Sequence, residues 1–168
     1  VVYSPEVLSQ LMEPDDACLI RRALDRAGLE IKAGCGATGI LSDKNGVSGV
    51  TLDDGSELPC QMICIGKGVR PNAEFLSGSE IIIDRGIVVN RYTACNTPDT
   101  FAAGDVAVTF EPATGERIMT GLWTNAVEMG RCAGHNMTGR KTAYSGTFGI
   151  MNATQIADEP FVSMGIVH

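Results

Sequence analysis

At 168 residues the chain is long enough for one domain, or parts of two, around a real core. Hydrophobic residues make up 44% and charged residues 20%, the balance of a soluble globular chain, and no apolar run approaches the roughly 18 residues that span a membrane. With 13 Lys and Arg against 20 Asp and Glu the net charge is −7, and no basic stripe offers a surface to nucleic acid.

In chain order, Val1 to Tyr3 reads as a short buried strand stopped by Ser4-Pro5. The chain thus opens inside a strand, with no signal-peptide pattern, and is expected to be an internal piece of a larger protein. Glu13-Pro14-Asp15-Asp16 reads as a helix start, because proline fits the first turn and acids suit the positive end of the helix dipole. Leu19, Ile20, Ala23, Leu24 and Ala27 recur at helical spacing and predict a buried face, with Gly28 as the cap. Leu29, Ile31 and Ala33 alternate with polar residues and predict a strand.

Ala37 to Leu41 and Val47 to Leu52 predict strands joined by the turn Asp43-Lys44-Asn45-Gly46, with a second turn at Asp53-Asp54-Gly55. Met62 to Ile65 is short, apolar and bounded by Gly66, the pattern of a buried strand. Gly68 to Asn72 is read as a loop and domain boundary. Ile81 to Ile83 and Ile87 to Val89 flank a hairpin signal, and Phe101 to Ala103 is expected as a buried strand ending at Gly104-Asp105. Residues 108–120 read as a polar connection. Thr124 to Met137 predicts a helix with Ala126, Val127, Ala133 and Met137 inward and Gly139 as its cap, and the chain from Tyr144 onward is strand-like.

The six cysteines form no C-x-x-C pair and are read as reduced, buried thiols of a cytoplasmic protein. The Asn-x-Thr triplets at Asn136 and Asn152 are read as chance. Gly34-Cys35-Gly36-Ala37-Thr38-Gly39 matches a phosphate-loop pattern, but that chemistry needs a helix directly after it. Here a turn arrives before one helical turn can close, so the segment reads as a connection into a strand.

Thr93 to Asp105 carries more. A glycine such as Gly104 at a strand end lets backbone approach a ligand, and the carboxylate of Asp105 can accept hydrogen bonds from sugar-type hydroxyls. Taken alone, such a Gly-Asp is more often an ordinary turn. Gly121-Leu122-Trp123-Thr124-Asn125-Ala126 then supplies an aromatic residue and a helix start, whose partial positive charge stabilises a nearby anion by roughly 0.3–1 kcal/mol. Trp123 reads either as a half-buried anchor or as a neighbour of a bound ring.

Asp84-Arg85-Gly86-Ile87-Val88-Val89, the Phe-Ala-Ala-Gly-Asp run at Phe101 to Asp105, and Trp-Thr-Asn-Ala-Val-Glu-Met-Gly from Trp123 together resemble the pyridine nucleotide-disulfide oxidoreductase superfamily, in particular its rubredoxin reductase, nitrite reductase and NADH oxidase-like branch. Met62 to Asn72 resembles the return from that family's NAD domain to its FAD domain, and Tyr144-Ser145-Gly146 the entry to its interface domain.

The resemblance implies an α/β chain with a partial Rossmann-like, three-layer β/β/α FAD- and NAD(P)-binding fold, truncated at the N-terminus. Residues 1–72 would be the later part of the NAD(P)H domain, 73–140 the C-terminal segment of the FAD domain, and 141–168 the start of the interface domain. Both phosphate loops of the family would lie before Val1. The resemblance further implies hydride transfer from NAD(P)H to FAD and electrons passed to a redox protein, a disulfide or oxygen. Gly104 and Asp105 would line the flavin's ribityl chain, Trp123, Thr124, Asn125 and Ala126 would stand near its ring, and Gly66 would lie on the nicotinamide side. Tyr3 stands where the family carries its acidic ribose-binding residue, which leaves NADH and NADPH both open. No catalytic acid, base or metal ligand is expected from this segment, and no membrane or nucleic-acid partner. By itself the chain is expected to be colourless and inactive, a binding or scaffold module at most, and to form homo-oligomers through an unpaired sheet edge.

Overall fold

A computed structural model describes residues 1–9, 11–147 and 150–165. The chain divides into two compact units. One holds the chain up to Lys67 together with the segment from Met151 onward, and the other spans Gly68–Ile150.

In the first unit, helix α1 (Pro14–Arg26) starts with proline and Asp15 and Asp16 in its first turn, as the sequence predicts. Gly28, at φ 83°, lets the chain leave it, and the Leu29 amide closes back on the Leu24 carbonyl at 3.1 Å. Ala17, Ile20 and Ala23 form its buried face. Leu19, expected inward, is 62% exposed, because the core it would meet lies on the Ala17–Ile20 side, with Val7 and Met12.

Strands β1 (Ala37–Asp43), β2 (Gly46–Leu52) and β3 (Glu57–Pro59) form an antiparallel meander. The Asp43 side chain accepts the Asn45 amide at 2.7 Å and tightens the first turn. A Cβ at Gly49 would meet the Leu58 carbonyl oxygen at 2.9 Å, so glycine lets β3 close on β2. Strands β8 (Ile150–Ile156) and β9 (Glu159–Gly165) pair as a hairpin around Ala157 and Asp158, both at positive φ. Ile156 and Phe161 join the α1 cluster.

Three expected strands of this unit are corrected. Val2 and Ala33 make a single parallel bridge instead of two strands, and Tyr3 is 78% exposed. Met62 to Ile65 is irregular, with Met62 78% and Ile65 73% exposed. The first two segments pair with each other through the Val2 amide on the Lys32 carbonyl at 2.8 Å and the Gly34 amide on the Ser4 carbonyl at 2.9 Å, too short a run for full strands.

In the second unit, β4 (Ile83–Asp84) and β5 (Gly86–Val88) form the expected hairpin, with Arg85 at φ 61°. Strand β6 (Ala107–Phe110) lies parallel to β5, and β7 (Arg117–Ile118) closes the four-stranded sheet antiparallel to β6. Strand β6 falls partly in the stretch read as a polar connection. Its Ala107, Val108 and Thr109 are buried, so it is an inner strand. Phe101 to Ala103 forms only a bridge between Phe101 and Ala94, since Gly104 bends the chain away before a ladder extends.

Helix α2 (Trp123–Met137) buries Met129, Cys132 and Ala133, and the first two join a core with Ile87, Val89, Ala102, Ala107 and Tyr144. Val127 (38%) and Met137 (69%) face solvent, because the buried stripe lies on the other side of the helix. The strand-like chain expected from Tyr144 becomes regular only at β8, and residues 148–149 and 166–168 of the expected interface segment lie outside the described residues.

Gly86 fixes how closely β5 passes β6. A Cβ there would meet the Val106 carbonyl oxygen at 2.7 Å and the Val108 and Pro71 side chains at 3.1 and 3.2 Å. Gly86→Ala is therefore expected to destabilise the chain by about 1–3 kcal/mol, seen as a lower denaturant midpoint.

Candidate functional site

The second unit builds its site from a turn and a helix end. Asn90 starts the turn by accepting the Tyr92 and Ala94 amides on its side-chain oxygen at 2.8 and 3.2 Å. Thr93, fully buried at φ 58°, then holds the Ala102 amide on its carbonyl at 3.0 Å. A β-branched residue in that region is strained, and it persists because packing surrounds it. The chain thus doubles back so that Ala102 and Ala103 run directly to Gly104.

Gly104 (φ 81°) reverses the chain, and the Ala107 amide returns to its carbonyl at 2.9 Å as β6 begins. A Cβ on Gly104 would meet Ala126 Cβ at 3.4 Å, so the turn packs directly on the first turn of α2. Asp105 follows at the exposed tip. Its Oδ2 lies 3.8 Å from where a Cβ on Gly121 would stand. Leu122 leads into the helix in extended conformation, with no side chain capping it and no acid in the first turn. The Trp123, Thr124 and Asn125 amides therefore lack intrahelical acceptors and keep the positive end of the dipole open beside the Asp105 turn.

Gly104, Asp105 and the start of α2 are thus brought together. Trp123 is 84% exposed, which removes the half-buried anchor reading. Thr124 is exposed. The Asn125 side chain turns the other way, donating to Thr120 Oγ1 at 3.1 Å and to Thr147 Oγ1. Gly121 opens the quoted segment, but Thr120 and Thr147 were not anticipated, and nothing in the sequence marks Thr147, 22 positions from Asn125.

Tyr3 and Gly66 belong to the first unit, where both line a cavity of about 610 Å³ with Lys32, Gly36, Val50 and Met62. Gly36 is locked by reciprocal bonds to Asp53, its amide donating to Oδ2 at 2.8 Å and its carbonyl accepting the Asp53 amide at 2.9 Å. The glycine-rich stretch then enters β1, so no helix end stands over it. Glu6, the acid nearest Tyr3 in sequence, is paired with Arg21 at 3.6 Å.

The cysteines are less buried than expected. Cys132 is buried, Cys18 and Cys64 are exposed, and the rest are intermediate. Burial pushes the Cys95 and Cys132 thiols above their ordinary range, so both stay protonated and poorly nucleophilic. Among the described residues no cluster of three metal-ligating side chains occurs, and no helix is long and apolar enough to cross a membrane.

The profile of the pyridine nucleotide-disulphide oxidoreductase family matches residues 1–130. The chain belongs to that family. It is 29% identical over 144 residues to an NADH oxidase of Enterococcus faecalis, covering 85% of this chain and 32% of the relative. To a rubredoxin-NAD(+) reductase of Ectopseudomonas oleovorans it is 25% identical over 139 residues, covering 83% and 36%. A solved ferredoxin reductase from Rhodopseudomonas palustris superposes with TM-score 0.87 at 27% identity, over 98% of this chain and 40% of that one. The chain thus spans about a third of the length of its curated relatives. Its α/β architecture is the Rossmann-like one of these FAD- and NAD-dependent reductases.

Burial also raises the Tyr144 phenol above its ordinary value of 10.0. A raised folded-state value means that the folded chain holds its proton longer than the unfolded chain does. The associated stability is intact below about pH 10 and is lost as pH climbs through the raised value. Tyr144→Phe is expected to flatten this alkaline loss, read from denaturant midpoints across the alkaline range.

Proposed function

We propose that this chain supplies the flavin-contacting return segment and the later nicotinamide-side portion of an NAD(P)H-dependent flavoprotein reductase. The observation that carries the reading is the Gly104–Asp105 turn packed on the open end of α2, where a Cβ on Gly104 would stand 3.4 Å from the Ala126 Cβ. An exposed carboxylate beside uncapped helix amides fits a ligand with both hydroxyls and an electron-rich ring edge, which is the chemistry of a ribityl flavin.

In this reading Asp105 accepts hydrogen bonds from ribityl hydroxyls. Gly104 keeps the backbone low enough for the chain of the cofactor to pass. The backbone amides at Trp123, Thr124 and Asn125 turn positive charge toward the ring, and Trp123 covers it from the solvent side. When bound, FAD supplies the redox chemistry, taking hydride from NAD(P)H and releasing electrons to the acceptor. Tyr3 and Gly66, on their cavity in the first unit, would contact the dinucleotide. With Glu6 held by Arg21, a ribose acid is not offered from that position. Residues 1–72 would then be nicotinamide-domain sequence, 73–140 the flavin-domain return, and 141–168 the start of an interface domain. Relatives named rubredoxin-NAD(+) reductase and NADH oxidase support a small redox protein or oxygen as acceptor.

The test is the whole flavoprotein purified with and without Asp105→Ala. The unaltered protein is expected to be yellow and to bleach on adding NADH. Loss of a charged hydrogen-bond acceptor costs about 2 kcal/mol, so the variant should hold FAD roughly 30-fold more weakly. Full flavin content in the variant would remove Asp105 from the site. Strand β1 is an exposed edge, which supports pairing with a second copy. Light scattering is expected to give at least a dimer.

A further inference from the structure

The segment after α2 runs back along the helix as a laced strap. At its start, Asn136 takes both backbone groups of Thr142, accepting its amide on Oδ1 at 2.8 Å and donating Nδ2 to its carbonyl at 2.8 Å. The Cys132 thiol donates to the same carbonyl at 3.0 Å. Farther along, Ser145 Oγ donates to Glu128 Oε1 at 3.0 Å. The last tie is Asn125 to Thr147. Positions 136, 132, 128 and 125 form one stripe at helical spacing, met by 142, 145 and 147 in the opposite direction. Gly146 lets the strap pass close by Pro112, where a Cβ would stand 2.5 Å from Cγ.

The strap therefore ends at the helix end that the flavin reading uses. Asn125 has two amide hydrogens, and each has a buried hydroxyl acceptor, Thr120 at 6% and Thr147 at 3% exposure. Thr120 immediately precedes Gly121, the residue facing Asp105. Asn125 so ties the entry loop, the first turn of α2 and the strap end at one point.

We propose that Thr147, acting through Asn125, is a positioning residue that fixes the α2 end and its entry loop toward the flavin. Asn125 is then a clamp and its side chain is not a flavin ligand. This rests on the flavin reading above, but the clamp has a readout of its own.

Thr147→Val removes the hydroxyl and keeps the shape, while Thr147→Ser keeps the hydroxyl. Both are made in the whole protein. Amide exchange over residues 120–129 is measured, together with the visible spectrum and midpoint potential of the bound flavin. The valine variant is expected to exchange roughly tenfold faster at Ala126 and the following turn, and to shift the flavin spectrum and potential. The serine variant is expected to match the unaltered protein in all three. Equal behaviour of valine and serine would overturn the proposal. So would faster exchange with an unmoved flavin spectrum and potential, since Thr147 would then serve stability alone. If the unaltered protein holds no flavin, the functional reading falls and the positioning role with it, while the exchange difference between valine and serine still reports whether the clamp exists.

Discussion

The contact between Gly104 and Ala126 governs the second unit. A left-handed glycine and an alanine let a turn and a helix end pack closely, since a Cβ on Gly104 would stand only 3.4 Å from the Ala126 Cβ. A side chain at Gly104 would be strained at φ 81° and would press on α2. From this contact follow the start of β6, the exposure of Asp105 and the seat of the helix end. The burial of Ala102 and Ala107 on either side, in one core with Met129 and Cys132, holds the turn in place.

That arrangement explains how a polar site coexists with a well-packed unit. The core beneath it is built from small and medium apolar residues. The strained Thr93 and the Asn90 turn carry the chain into position, and their polar groups are satisfied locally. What remains without an intrahelical partner is the first turn of α2, where exposure to solvent or a ligand costs nothing. Backbone rigidity and ligand accessibility are thereby assigned to different residues.

Local chemistry made much of the fold legible. Pro14 with Asp15 and Asp16 marks the start of α1, Asn45-Gly46 and Arg85-Gly86 mark hairpins, and the apolar pattern from Thr124 marks α2. Each rests on groups a few residues apart. The misses concern partners distant in sequence. Met62 to Ile65 and Phe101 to Ala103 have strand composition but no ladder, whereas Ala107 to Phe110 becomes an inner strand because β5 and β7 flank it. A helical stripe shifted by part of a turn put Val127 and Met137 on the wrong side. The turn at Gly104 and Asp105 was readable from residue type. The direction of Asn125 was not, because it depends on hydroxyls at Thr120 and Thr147 that only the folded chain brings together.

The six cysteines show how far family membership reaches by itself. A family name containing "disulphide" invites a redox-thiol mechanism, yet burial pushes the Cys95 and Cys132 thiols toward the protonated form. Cys132 spends its hydrogen on the Thr142 carbonyl at 3.0 Å and so belongs to the strap along α2. A thiol that is protonated and hydrogen-bonded to backbone makes a poor nucleophile and a sound structural donor. On the proposed reading, this segment would offer redox chemistry a shaped, charged seat for a cofactor. Its reactivity would come from the cofactor, and its specificity from the geometry of Gly104, Asp105 and the α2 end.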